Sequence, residues 1–205
     1  MPKPISEIRK PEIIDAAFAA IKKHGLPMPS YDQIASEAGM SRQLIRHYFP
    51  TIESLLVALG DALAAKYREL LMRGILDANV TERLPMFLDF YFDFLSGKGL
   101  GKPADDAVYD ALFSLSVASE PIRKNLHDQY SLLQWTIAHE VQISNPGLSQ
   151  NACREIGFLF VSLMYGHWKM VATLGFSGDY HKVTRAALDR ILASYNAHYE
   201  DPDLK

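Results

Sequence analysis

From Pro11 to Tyr199 the apolar residues recur every three or four positions, and no stretch alternates apolar with polar residues. A spacing of three to four keeps one face of a helix buried, whereas a half-buried strand needs a period of two. The chain is therefore expected to be all-α. Helices are expected over Pro11–His24, after Ser30 to Ala38, after Ser41 to just before Pro50, and from Ile52 to about Met72. Further ones are expected over Arg83–Leu95, from Pro103 to about Ser116, through Leu126–Val141, from Ser149 to Leu174, and over Tyr180–Tyr199. Pro11 suits a first helical position and Gly25 a helix stop.

The chain has 205 residues, 48% of them hydrophobic and 22% charged, which suffices for one or two cores and argues against wholesale disorder. The one cysteine, Cys153, excludes a disulfide framework within the chain and suits a reducing compartment. Neither a signal peptide nor a membrane-spanning run is expected, so the protein is read as cytoplasmic and without membrane contact. Net charge is −3, but it is unevenly placed. Residues 1–50 hold seven Lys/Arg against five Asp/Glu, while residues 51–205 hold fourteen against nineteen. Any contact with nucleic acid is thus expected to be local and N-terminal.

The segment SYDQIASEAGMSRQLIRHYFP, residues 30–50, has the spacing of two short helices that cross tightly. Ser30 with Gln33 forms a capping box. Ala35 and Ala38 allow close approach, Gly39 accepts a positive φ in the turn, and Met40 plugs the space beneath it. Ser41 can cap the next helix. Ile45 and Phe49, four apart, would anchor that helix, leaving Arg42, Gln43, Arg46 and His47 outward. Arginine and glutamine are the side chains that pair in bidentate fashion with guanine and adenine edges. In a helix-turn-helix the second helix enters the major groove.

Residues 30–56, ending in a Phe-Pro and a Glu-x-Leu-Leu restart, resemble the DNA-binding signature of the tetracycline-repressor (TetR) family of bacterial transcriptional regulators. Ala16-Ala17-Phe18, closed by Gly25, also fits the pattern. The resemblance covers about residues 10–60. It implies a three-helix head with a helix-turn-helix over residues 1–56, followed by a larger helical body for ligand binding and dimerisation over residues 57–205. It also implies that Ser30, Tyr31, Ser41, Leu44 and Tyr48 join Arg42, Gln43, Arg46 and His47 at the DNA. The sequence departs from the family at Gln43, where Gly or Pro is common, and at Leu44, where Thr or Ser is common. It departs again at Arg46 and Tyr48, where Tyr and His are common, and at Ile52, where a phosphate-binding Lys is common.

In the body, Ile156–Leu174 is hydrophobic nearly all round, interrupted by Gly157, Ser162 and Gly166. Such a helix must be covered on both sides. With the family resemblance, this predicts a homodimer through the last two helices. Apolar walls with a few polar groups describe a ligand site, and Tyr91, Trp135, His139 and Trp168 are the residues chosen for a small, largely apolar effector. No Gly-x-Ser-x-Gly, Walker loop, His-Glu-x-x-His or zinc spacing occurs, so no catalytic residue, metal site or cofactor is expected. The expected function is a transcriptional regulator, released as a repressor from a palindromic double-stranded operator. The alternative is a helical small-molecule-binding protein whose head is a non-DNA interaction surface, and a third reading is an enzyme with an unrecognised helical site.

Overall fold

A computed structural model of the chain describes residues 5–25, 28–77 and 83–198. Among these residues there are nine α-helices and no strand: α1 (Ile5–His24), α2 (Tyr31–Ala38), α3 (Arg42–Tyr48), α4 (Ile52–Asp77), α5 (Arg83–Tyr91), α6 (Asp106–Ser116), α7 (Glu120–Ser144), α8 (Gln150–Trp168) and α9 (Tyr180–His198). No single helix among them is long and apolar enough to cross a membrane.

The helices sort into two compact units. The first takes the chain to Lys66 together with Asp105–Asp128, and so extends beyond the 1–56 segment to include α6 and the first turns of α7. Its core is built from Ile13, Ala16, Ala17 and Ala20 of α1, Ile34 and Ala35 of α2, Ile45 and Phe49 at α3, and Leu55 of α4. Alanines on α1 and α2 keep the helices close, and α1 also lies against α6. Within this unit the Ser119 hydroxyl donates to Glu53, and the Asn125 amide donates to Asp61 at 2.7 Å.

The second unit comprises Tyr67–Ala104 and the chain from Gln129. Its core joins Phe87, Phe90 and Tyr91 of α5 to Ile137 and Val141 of α7, Ile156 and Phe160 of α8, and Leu188 of α9. Arg83 reaches the buried Glu140 at 2.5 Å, and Arg185 joins Asp89 at 2.7 Å. Desolvating Glu140 is tolerable because a guanidinium lies against it.

Several boundaries differ from the sequence expectation. α1 begins at Ile5, so Pro11 lies inside the helix rather than at its first position. The missing N–H falls on a solvated stretch, which the Arg9–Glu12 ion pair at 2.8 Å spans. α4 runs on to Asp77, past the expected end near Met72. α5 stops at Tyr91 instead of Leu95 because Asp93 takes φ 60°, and a 3-10 turn follows over Ser96–Lys98. α6 starts at Asp106, three residues after Pro103. α8 gives way at Lys169 to a π-helical turn that ends by Leu174. Tyr199, the expected end of α9, lies outside the described residues.

Candidate nucleic-acid interface

The α2–turn–α3 geometry follows from local chemistry. The Ser30 hydroxyl accepts from the Gln33 N–H at 3.3 Å while the Gln33 side chain accepts from the Ser30 N–H at 2.8 Å, so both halves of the capping box form. α2 closes at Gly39, which sits at φ 61°, and its N–H points back to the carbonyls of Ala35 and Ser36. Met40 follows, half-buried against the core and donating its N–H to the Ala35 carbonyl at 3.0 Å. Ser41 opens α3 by accepting from the Leu44 N–H at 3.1 Å. The Tyr31 hydroxyl then donates to the Phe49 carbonyl at 2.9 Å, tying the start of α2 to the end of α3.

These contacts fix which side of α3 meets solvent. Ile45 is fully buried and Phe49 nearly so. Arg42, Gln43, Arg46 and His47 are all exposed, while Leu44 and Tyr48 are half-buried at the edges of the same face. Ser30 and Ser41 are exposed and Tyr31 half-buried. The surface thus carries two guanidiniums, one carboxamide and one imidazole on a helix held from behind, the chemistry for reading base edges in a major groove. α4 restarts after Thr51, whose hydroxyl accepts from the Ser54 N–H at 3.0 Å. Ile52, where the family often has Lys, packs half-buried against the core.

Two contacts on this surface were not anticipated from the sequence. Arg42 Nη1 lies 3.4 Å from Asp32 Oδ2, and the Arg46 guanidinium sits 5.6 Å from the centre of the Tyr31 ring. Burial raises the Tyr31 phenol above its ordinary range even though both arginines pull the other way. The only available sequence signal was the adjacency of Tyr31 and Asp32 at the start of α2. Lys23 is held by Glu37 at 2.6 Å, and this hydrogen bond keeps the Glu37 carboxyl below its ordinary value.

The residues chosen for an effector divide in two. Tyr91 and Trp168 come together, with the indole N–H donating to the Tyr91 carbonyl at 2.9 Å. Tyr91 is buried, parallel to Tyr67 at 5.9 Å and edge-on to Phe160, and burial raises its phenol strongly. Lys102 Nζ lies 4.4 Å from the Trp168 ring centre. Beside this group stand His167, His181 and Thr184, none of them among the residues chosen for an effector. Trp135 and His139 are exposed on α7, with the Arg154 guanidinium 4.9 Å from the Trp135 ring. Among the described residues no three His, Cys, Asp or Glu side chains converge to hold a metal ion.

A three-helix head with a capped helix-turn-helix, its polar face outward, defines a DNA-binding protein of the bacterial regulator type. Residues 13–59 match the profile of "Bacterial regulatory proteins, tetR family". The chain is 35% identical over 79 residues to the HTH-type transcriptional regulator BetI of Vibrio parahaemolyticus, a match spanning 34% of this chain and 40% of that protein. To BetI of Escherichia coli it is 26% identical over 179 residues, covering 85% and 88% of the two chains. The crystal structure of a TetR-family transcriptional regulator from Cytophaga hutchinsonii superposes with a TM-score of 0.78 at 14% identity, over 97% of this chain and 100% of that one. The chain carries a tetR-family DNA-binding segment near its N-terminus. It is a DNA-binding transcriptional regulator and not an enzyme, which decides between the readings that the sequence left open.

Proposed function

We propose that the protein is a homodimeric repressor that binds a palindromic operator through α3 and leaves it when a small, largely apolar effector binds. The exposed quartet Arg42, Gln43, Arg46 and His47, on a helix whose other side is anchored by buried Ile45 and Phe49, carries this reading. In it, residues 1–56 are the DNA-binding domain, with Ser30, Tyr31, Ser41, Leu44 and Tyr48 contacting DNA beside the quartet. Residues 57–205 bind the effector and the second subunit. A bacterial regulator of this kind works in the cytoplasm, where its operator lies.

The dimer reading is supported by Phe158, Ser162 and Gly166, four residues apart on α8. Phe158 and Ser162 are exposed, Gly166 has room beside it, and Val183 of α9 is exposed too. Gly157, by contrast, is crowded by its own chain, since a Cβ there would lie 2.5 Å from the Gln134 carbonyl oxygen. Two subunits would place their recognition helices in successive major grooves, about 34–36 Å apart. Tyr91 and Trp168, aromatic with polar neighbours, are the proposed effector contacts. The exposure of Trp135 and His139 suits contacts at the rim or the subunit surface. The effector must bind better to a conformer whose head spacing no longer matches the operator, because equal affinity for both conformers shifts nothing.

Selection from a pool of random duplexes tests the proposal. An enriched inverted repeat with half-sites about one helical turn apart is expected. Failure to enrich any sequence at several salt concentrations would overturn it.

A further inference from the structure

We infer that Asp32 is a positioning residue for DNA reading: it holds the Arg42 guanidinium by one nitrogen so that the opposite edge faces a base. This inference rests on the DNA-binding reading above. The ion pair engages Nη1 alone, at 3.4 Å, and leaves a side chain that is still 54% exposed. Guanidinium carries five donors, so one bond to a carboxylate leaves a bidentate fork for the O6 and N7 of guanine. The arrangement is paired along the helix. Asp32 and Tyr31 are consecutive on α2, and they hold Arg42 and Arg46, which are one turn apart on α3. Tyr31 is itself fixed by its hydroxyl on the Phe49 carbonyl, so the platform beneath both arginines belongs to the folded head.

Holding Arg42 in this way has two opposite consequences. On the correct sequence, the guanidinium loses less side-chain freedom when it meets its base, so binding tightens. On other sequences, an arginine tied to Asp32 is less free to swing to a phosphate, so non-specific binding weakens. A carboxylate that merely repelled DNA would weaken both alike.

The experiment compares the full chain with Asp32→Asn, Arg42→Ala and the double variant. Each is titrated on a duplex enriched from the random pool and on a scrambled duplex of equal length. Asp32→Asn is expected to weaken the enriched duplex by about two- to fivefold, the scale of an exposed pair. It should tighten the scrambled duplex and steepen its log–log salt dependence by about one ion, as Arg42 finds a phosphate. In the Arg42→Ala background these opposed shifts should vanish. Tightening of both duplexes together, or shifts that persist without Arg42, would overturn the inference while leaving the DNA reading intact. If Arg42→Ala binds both duplexes as the parent does, Arg42 is no DNA contact and the inference falls with that assignment. Retained binding to the scrambled duplex reports that each variant is folded.

Discussion

The imidazoles of His167 and His181 meet at 2.8 Å, Nε2 to Nδ1, and join α8 to α9. The Thr184 hydroxyl donates to the Tyr180 carbonyl at 3.2 Å, so its oxygen is left to accept from His167 Nδ1 at 2.9 Å. That assigns the His167 proton to Nδ1 and makes its Nε2 the acceptor of the His181 Nδ1–H. A second proton on His167 would point at that N–H. His167 is buried between Phe92 and Trp168, and burial, helped by the neighbouring His181, depresses its pKa from 6.5 to about 4.

A pH dependence with a definite sign follows. The unfolded chain takes up a proton at His167 near pH 6.5, and the folded chain does not until about pH 4. Stability is therefore intact above pH 6.5 and falls as pH drops from 6.5 towards 4, by at most about 1.4 kcal/mol per pH unit from this group. Denaturant unfolding of the parent and of His167→Gln across that range measures it. The variant should lose the part of the slope that His167 supplies. Equal slopes in the two proteins would contradict the assignment.

Ile45→Ala separates the anchoring side of α3 from its reading side. Ile45 is fully buried in the head core. Its truncation should cost about 2–5 kcal/mol, because the surrounding alanines on α1 and α2 cannot close the gap. Chemical denaturation reads this directly. Arg42→Ala, at an exposed position, should change stability by no more than about 0.5 kcal/mol.

The proposed dimer face has its own test at Phe158. The ring is 59% exposed in the single chain, so Phe158→Asp should leave the subunit folded. Placing a carboxylate against a second copy would bury it unpaired, and sedimentation velocity should show the dimer shifting to monomer. A dimer as tight as the parent's would move the interface off this face of α8.

What could be read without coordinates was what neighbouring residues decide among themselves. Both ends of α2 and the start of α3 follow from Ser30, Gln33, Gly39 and Ser41, whose bonds reach no further than four residues. The inward pair Ile45 and Phe49 and the outward quartet came from the same short period. The end of α5 was missed because its cause is not local. Asp93 turns at φ 60° and its carboxylate accepts from the Lys102 N–H at 3.0 Å, nine residues on. Pro11 misled because a solvated first stretch of helix tolerates a missing N–H. The exposure of Trp135 and His139 follows from their register on α7. They flank buried Ile137 by two residues each, which puts them well round α7 from its buried stripe. The pairing of Asp32 with Arg42 is not legible in the sequence, because the two lie ten residues apart and the turn between α2 and α3 brings them together.

The most direct measurement is the salt dependence of binding by the parent and by Arg42→Ala/Arg46→Ala on an enriched duplex. The double variant should retain the parent's stability and oligomeric state, lose most of its affinity for that duplex, and show a shallower salt dependence. Affinity and salt dependence equal to the parent's at several salt concentrations would show that this face of α3 does not enter DNA.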